Sequence, residues 1–110
     1  MKLVMLTYLE GDEKCVERLL TELEVPTFSR LPVEGHERAA TAGWYGSGAV
    51  SPYRSEVIFV FADDGLAAAI LDGVESCTGV EDPKHPIRAF ALEVAGAAAC
   101  GCGPSVTASE

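Results

Sequence analysis

The stretch that decides the fold is "EVIFVFADDGLAAAILDGVES", Glu56 to Ser76. Its opening residues, Glu56 to Ala62, are β-branched or aromatic almost throughout, and such side chains suit a pleated surface. Asp63 or Asp64 then offers a carboxylate to the unpaired amides of a helix start. Leu66, Ala67, Ile70, Leu71 and Val74 recur at helical spacing and make one apolar face. A strand running directly into an amphipathic helix is half of a β-α-β unit.

Working outward, the same pattern stands at the other end of the chain. "KLVMLTYL", Lys2 to Leu9, is a continuous apolar run bounded by Glu10–Gly11 and fits a strand covered on both faces. Asp12 stands at a capping position, and Cys15, Val16, Leu19, Leu20 and Leu23 form an apolar helical face, with acids crowding the first turn where the helix dipole favours them. Pro26 ends that helix. "TFSRLPV", Thr27 to Val33, reads as a shorter strand, with Pro32 pointing to an edge or a bend. After the second helix come a loop, "CTGVEDPKHP", and a last strand, "IRAFALEV", Ile87 to Val94.

This order predicts an α+β, ferredoxin-like βαββαβ fold: a four-stranded antiparallel sheet, two helices on one face and a long loop between strands two and three. Strands one, three and four are apolar at positions of both parities, so the second face also calls for burial. No further element is left to cover it, and self-association is the expectation. Residues 1–95 read as one domain and 96–110 as a flexible, Cys-containing tail of small residues without periodicity.

At 110 residues and 48% hydrophobic, the chain suffices for one core and not for two. A formal charge of −9, from 17 acidic and 8 basic side chains, repels a phosphate backbone and argues against nucleic-acid partners. Between Arg38 and Ser55 there are two arginines and no carboxylate, while the remainder carries about −11, so an anionic ligand has a local welcome. No apolar run approaches the roughly 20 residues of a membrane span, and "MKLVMLTYLEGDEK" turns acidic too soon for a signal peptide, so a cytoplasmic protein without membrane insertion is expected. The four cysteines, Cys15, Cys77, Cys100 and Cys102, are irregularly spaced and make no CxxC framework.

"GHERAATAGWYGSGAVSPYR", Gly35 to Arg54, exceeds the roughly 12–15 residues of ordinary connections. Trp44 and Tyr45 sit poorly in water unless covered. The segment reads as a partner-contacting arm, with Trp44, Tyr45, Tyr53 and Arg54 as its contact residues, or as a hairpin folding back on its own sheet or a neighbouring subunit. Arg88 at a strand entrance, Lys84 and His85 just before it, and Arg38 at the loop base form a set able to converge on an anion. The competing reading pairs Arg88 with Glu93 or Glu56. His36 is either solvated or a pH or metal-sensing group. Cys100 and Cys102 supply two of the four ligands a closed zinc site needs, or form a disulfide with each other or with Cys77. Cys15, on an apolar helix face, points to packing. No nucleophile–base pair, Walker loop or paired-carboxylate spacing stands out, so the sequence is not read as an enzyme.

From Lys2 to Val94 the sequence resembles the P-II signalling proteins. "PVEGHER" is similar to that family's Val-Lys-Gly-Phe-Gly-Arg pattern, placing Gly35 on its first glycine and Arg38 on its arginine. "IRAFALEV" is similar to its Gly-Lys-Ile-Phe-Val stretch, placing Arg88 on the phosphate-contacting lysine and Phe90 on the core aromatic. The resemblance implies a homotrimer that binds an adenine nucleotide between subunits, through Gly35, His36, Arg38, Lys84, His85 and Arg88, and regulates a membrane transporter or an enzyme through the long loop, the T-loop. The chain departs from the family's Thr-Gly-x-x-Gly-Asp-Gly loop, with Thr78–Gly79 followed by "VEDPKHP". Asp82, Lys84 and His85 stand where glycine amides would cradle phosphates, and the arginine-bearing segment after the fourth strand is missing. These departures are similar to the divergent P-II-like groups and imply ADP or AMP, or bicarbonate, as effector, with no cofactor required. The alternative is a trimeric metal-binding or divalent-cation tolerance protein using His36, His85, Cys100 and Cys102, ligands that favour copper or zinc.

Overall fold

A computed structural model of the chain describes the backbone of residues 1–38 and 50–101 and the side chains of 1–37 and 52–101. Strand β1 (Lys2–Leu9) leads through a 3-10 turn (Glu10–Asp12) into helix α1 (Glu13–Glu22), then come β2 (Ser29–Arg38), β3 (Val50–Ala62), α2 (Asp64–Glu75) and β4 (Arg88–Glu93). The strands form one antiparallel sheet in the order β2-β3-β1-β4. This is the expected ferredoxin-like arrangement. The two most continuously apolar strands, β1 and β3, take the centre, and Pro32 lies on edge strand β2, where a missing N–H is tolerated.

Strand alternation builds the core. Val4, Leu6 and Tyr8 of β1 and Ile58, Val60 and Ala62 of β3 meet Val16 and Leu20 of α1, Ala67 and Ile70 of α2, and Ile87. Each fully buried aliphatic side chain here contributes about 1.5–3 kcal/mol relative to exposure. A Cβ at Gly73 would lie 2.5 Å from Leu19 Cδ1, so the missing side chain is what lets α2 receive Leu19. Arg30 on β2 holds Glu17, and reaches Glu13 at 2.7 Å, tying the edge strand to α1.

The helix ends differ in how they are closed. Asp63 caps α2, its Oδ1 accepting from the Leu66 N–H at 2.8 Å. Asp12 does not cap α1 with its side chain. It is buried instead, and its Oδ1 accepts from the Glu81 N–H at 3.0 Å, which anchors the segment before β4 to the start of α1. At the other end of α1, Val25 N–H donates to Leu20 C=O and Glu24 N–H to Thr21 C=O. This is the paired closure of a Schellman motif, with Glu24 at φ 56° in the left-handed position that glycine usually fills.

The structure corrects the boundaries of the long connection. β2 runs to Arg38 rather than Val33, and β3 starts at Val50 rather than Glu56. Gly35 pairs with Tyr53 and Arg38 with Val50, so both flanks of Gly35–Arg54 are a paired two-stranded ribbon that continues past β1, which ends at the Leu9–Ser55 pair. The ladder supplies the backbone bonds there. Its polar side chains carry no alternation by which a sequence could announce it. Trp44 and Tyr45 lie outside the described residues.

The sheet face away from the helices is apolar and open. Leu31, Phe61, Phe90 and Leu92 are 51%, 66%, 46% and 47% exposed, and no element among the described residues covers them. No described helix is long and apolar enough to cross a membrane.

Candidate functional site

Where the ribbon leaves the sheet, it meets the segment that precedes β4. Gly35 lies under the ring of Tyr53, and a Cβ on Gly35 would stand 2.3 Å from that ring, so any larger residue there makes the ring shift. Tyr53 in turn packs on His85, ring centroids 4.4 Å apart and planes tilted by 52°. His85 bridges the two parts of the chain. Its Nε2 is 3.1 Å from Glu37 Oε1 at the ribbon base, and its Nδ1 is 3.1 Å from Asp82 Oδ2 in its own segment. Both ring nitrogens donate at once only in the imidazolium form, so a neutral ring serves one carboxylate and releases the other. The Lys84 N–H also donates to Asp82, at 3.0 Å. That amide and His85 hold the Asp82 carboxyl below its ordinary range.

Of the residues singled out in the sequence, the structure therefore brings together Gly35, Tyr53 and His85, with the Lys84 backbone beside them. Glu37, which was not singled out, and Asp82, noted only as a departure from the glycine-rich loop, complete the junction; nothing in their spacing reveals that they share one imidazole. His36 is exposed, with Nε2 3.6 Å from Glu34, its neighbour on the same strand. Arg54 is exposed beside a groove of about 570 Å³ that runs between Glu10 and the ribbon. Arg38 pairs with Val50 through its backbone, and its side chain is outside the described set.

Arg88 opens β4 opposite Thr7 and is exposed. By strand parity it shares the open sheet face with Phe90 and Leu92. The competing pairing with Glu93 or Glu56 does not occur. Glu93 is taken by Lys2, and Glu56 is buried and accepts from the Tyr8 hydroxyl at 2.8 Å. Its guanidinium is exposed beside that apolar face and makes no ion pair with another described residue.

For the metal reading, no group of three or more His, Cys, Asp or Glu side chains among the described residues is arranged to hold an ion. Cys100 is exposed, and Cys102 lies outside the described residues.

No family model matches the sequence, and no curated protein matches it. Solved structures do match the fold. CPII, a nitrogen regulatory PII-like protein from Thiomonas intermedia K12, bound to ADP, AMP and bicarbonate, superposes with a TM-score of 0.59 at 13% identity, over 84% of this chain and 88% of its own. GlnK of B. subtilis, solved as its ATP complex, gives a TM-score of 0.61 at 10% identity over 84% and 82%. The chain thus has the ferredoxin-like fold of the PII-like proteins, as the sequence resemblance implied.

Proposed function

We propose that the chain is a homotrimeric, PII-like signal transducer. It takes a small anion, ADP or AMP or bicarbonate, at the seams between subunits and passes the bound state to a transporter or enzyme through its ribbon. The observation that carries this reading is the junction at His85, which joins the base of the ribbon to the segment bearing Lys84 and leading to Arg88. The open apolar face supports assembly, since pairing copies across it buries Phe61, Phe90 and Leu92 and leaves Arg88 at the rim. CPII, which shares the fold, is a complex with ADP, AMP and bicarbonate.

The chemistry follows from competition. Glu37 and Asp82 occupy His85 when no other anion is near. An anion drawn to Arg88, Lys84 and His85 displaces the Glu37 carboxylate and frees the ribbon base, shifting the population toward a second ribbon state. Partner contact then falls to Trp44 and Tyr45 of the long loop, with Arg54 at the ribbon base, where it pairs with Glu34. Arg88 supplies a bidentate fork for a phosphate or bicarbonate, Lys84 a point charge.

Titration calorimetry with AMP, ADP, ATP, cyclic AMP and bicarbonate tests the reading. Heat is expected with at least one of them, and Arg88→Ala weakens that binding about tenfold or more, the usual cost of losing a hydrogen bond to a charged group. Absence of heat with all five ends the proposal.

A further inference from the structure

We propose that Cys15 and Cys77 form a dithiol–disulfide couple, a modification site at which a small disulfide oxidises the pair and links the start of α1 to the end of α2. The two Sγ atoms lie 2.9 Å apart although 62 residues separate them in sequence. Cys15 occupies the first turn of α1, and Cys77 follows α2, its N–H donating to Val74 C=O at 3.1 Å. Both side chains pack against the core cluster and both are half-buried. The framework around them is fixed on two sides, by Leu19 seated over Gly73 and by the Asp12–Glu81 hydrogen bond. A disulfide bond is about 2.05 Å long, so the sulfurs need to close by roughly 0.9 Å, a movement that side-chain torsions supply.

Access and chemistry agree with this. A groove of about 370 Å³ opens over the pair, lined by Arg18, Glu22, Ser76 and Thr78 as well as by the two thiols. The hydrogen bond to Cys15, with burial, pushes the Cys77 thiol up to about 11, so Cys77 serves first as proton donor to its neighbour. Cys15 gives up its proton to solvent, and its thiolate attacks one sulfur of a low-molecular-weight disulfide such as oxidised glutathione. That S–S bond breaks and one glutathione thiolate leaves, taking up a proton. Cys77 then loses its proton and attacks Cys15 Sγ in the mixed disulfide, expelling the second glutathione. Two protein thiols are oxidised, one glutathione disulfide is reduced to two thiols, and protons balance. The bond does not depend on the effector proposed above, since neither cysteine belongs to the His85 junction.

The test uses the full-length chain in buffers of graded reduced-to-oxidised glutathione ratio, followed by acid quenching, alkylation and peptide mass mapping. A peptide joining Cys15 to Cys77 is expected at the oxidising end, reversed by dithiothreitol. It persists in Cys100→Ser/Cys102→Ser and vanishes in Cys15→Ser. The oxidised wild type also melts several degrees above the reduced form, a difference that Cys15→Ser lacks. Alkylation of both residues at every ratio, stable glutathionylation of either, or a bridge from either to Cys100 or Cys102 instead overturns the proposal. Because the mapping is made on the wild-type chain, poor folding of a variant does not obscure the outcome.

Discussion

Tyr8 and Glu56 show how one buried contact sets a chemical limit on the whole chain. Both residues are buried, at 2% and 8% exposure, and the phenol donates to the carboxylate at 2.8 Å. Tyr8→Phe leaves that carboxylate buried without its donor and is expected to lower stability by about 1–3 kcal/mol in urea unfolding. Burial, reinforced by the hydrogen bond to Glu56, also holds the Tyr8 phenol well above the usual tyrosine range. A raised folded-state pKa means that folding favours the protonated phenol. This stabilisation is therefore complete below about pH 10, the value of an unfolded tyrosine, and is lost as pH climbs toward the folded value. Unfolding midpoints of wild type and Tyr8→Phe should accordingly converge above about pH 10, and a constant gap between them would contradict the assignment. Gly35 sets a steric limit of the same local kind. Gly35→Ala drives a methyl into the Tyr53 ring and should move the His85 ring resonances in NMR spectra while leaving the core amides in place.

At the scale of elements, the end of α1 offers a test in the opposite direction. Glu24 occupies the left-handed position of the Schellman closure, a conformation that costs a side-chain-bearing residue about 1–2 kcal/mol. Glu24→Gly should raise stability by about 1 kcal/mol, less whatever the more mobile unfolded chain offsets, readable as a higher denaturation midpoint. The elements also show what a sequence discloses. β1, α1, β3 and α2 were legible because each places apolar residues at a strand or helix period that packs against the others, and of the two capping candidates, Asp63 and Asp64, the structure selects Asp63. The ribbon was not. Glu34, His36, Glu37, Pro52 and Arg54 alternate nothing apolar, and their pairing is set by the backbone ladder running on from the sheet. The His85 junction was legible by half, since a histidine before a strand attracts notice while Glu37, 48 residues away, becomes its partner only through the topology.

For the whole molecule, the open face is the decisive surface. Phe61, Phe90 and Leu92 line it at 46–66% exposure, among the most exposed large apolar side chains of the described residues. Equilibrium sedimentation at micromolar concentration should give a trimer, and Phe90→Glu with Leu92→Glu should shift it to monomer while the far-ultraviolet circular dichroism stays unchanged. A folded monomeric wild type would remove the seam at which the proposed effector is to bind. The ribbon gives that assembly mechanical reach. Five residue pairs, Glu34–Arg54 to Arg38–Val50, extend past the last pair of β1, an arm of about 17 Å at strand spacing. On the proposed function the ribbon tilts where Tyr53 rests on His85. Because the outer Arg38–Val50 pair lies three residues beyond that point, a tilt of roughly 10° there sweeps the outer end through about 2 Å. On that reading, swapping a single carboxylate at the imidazole becomes a displacement large enough to break a hydrogen bond at the outer end.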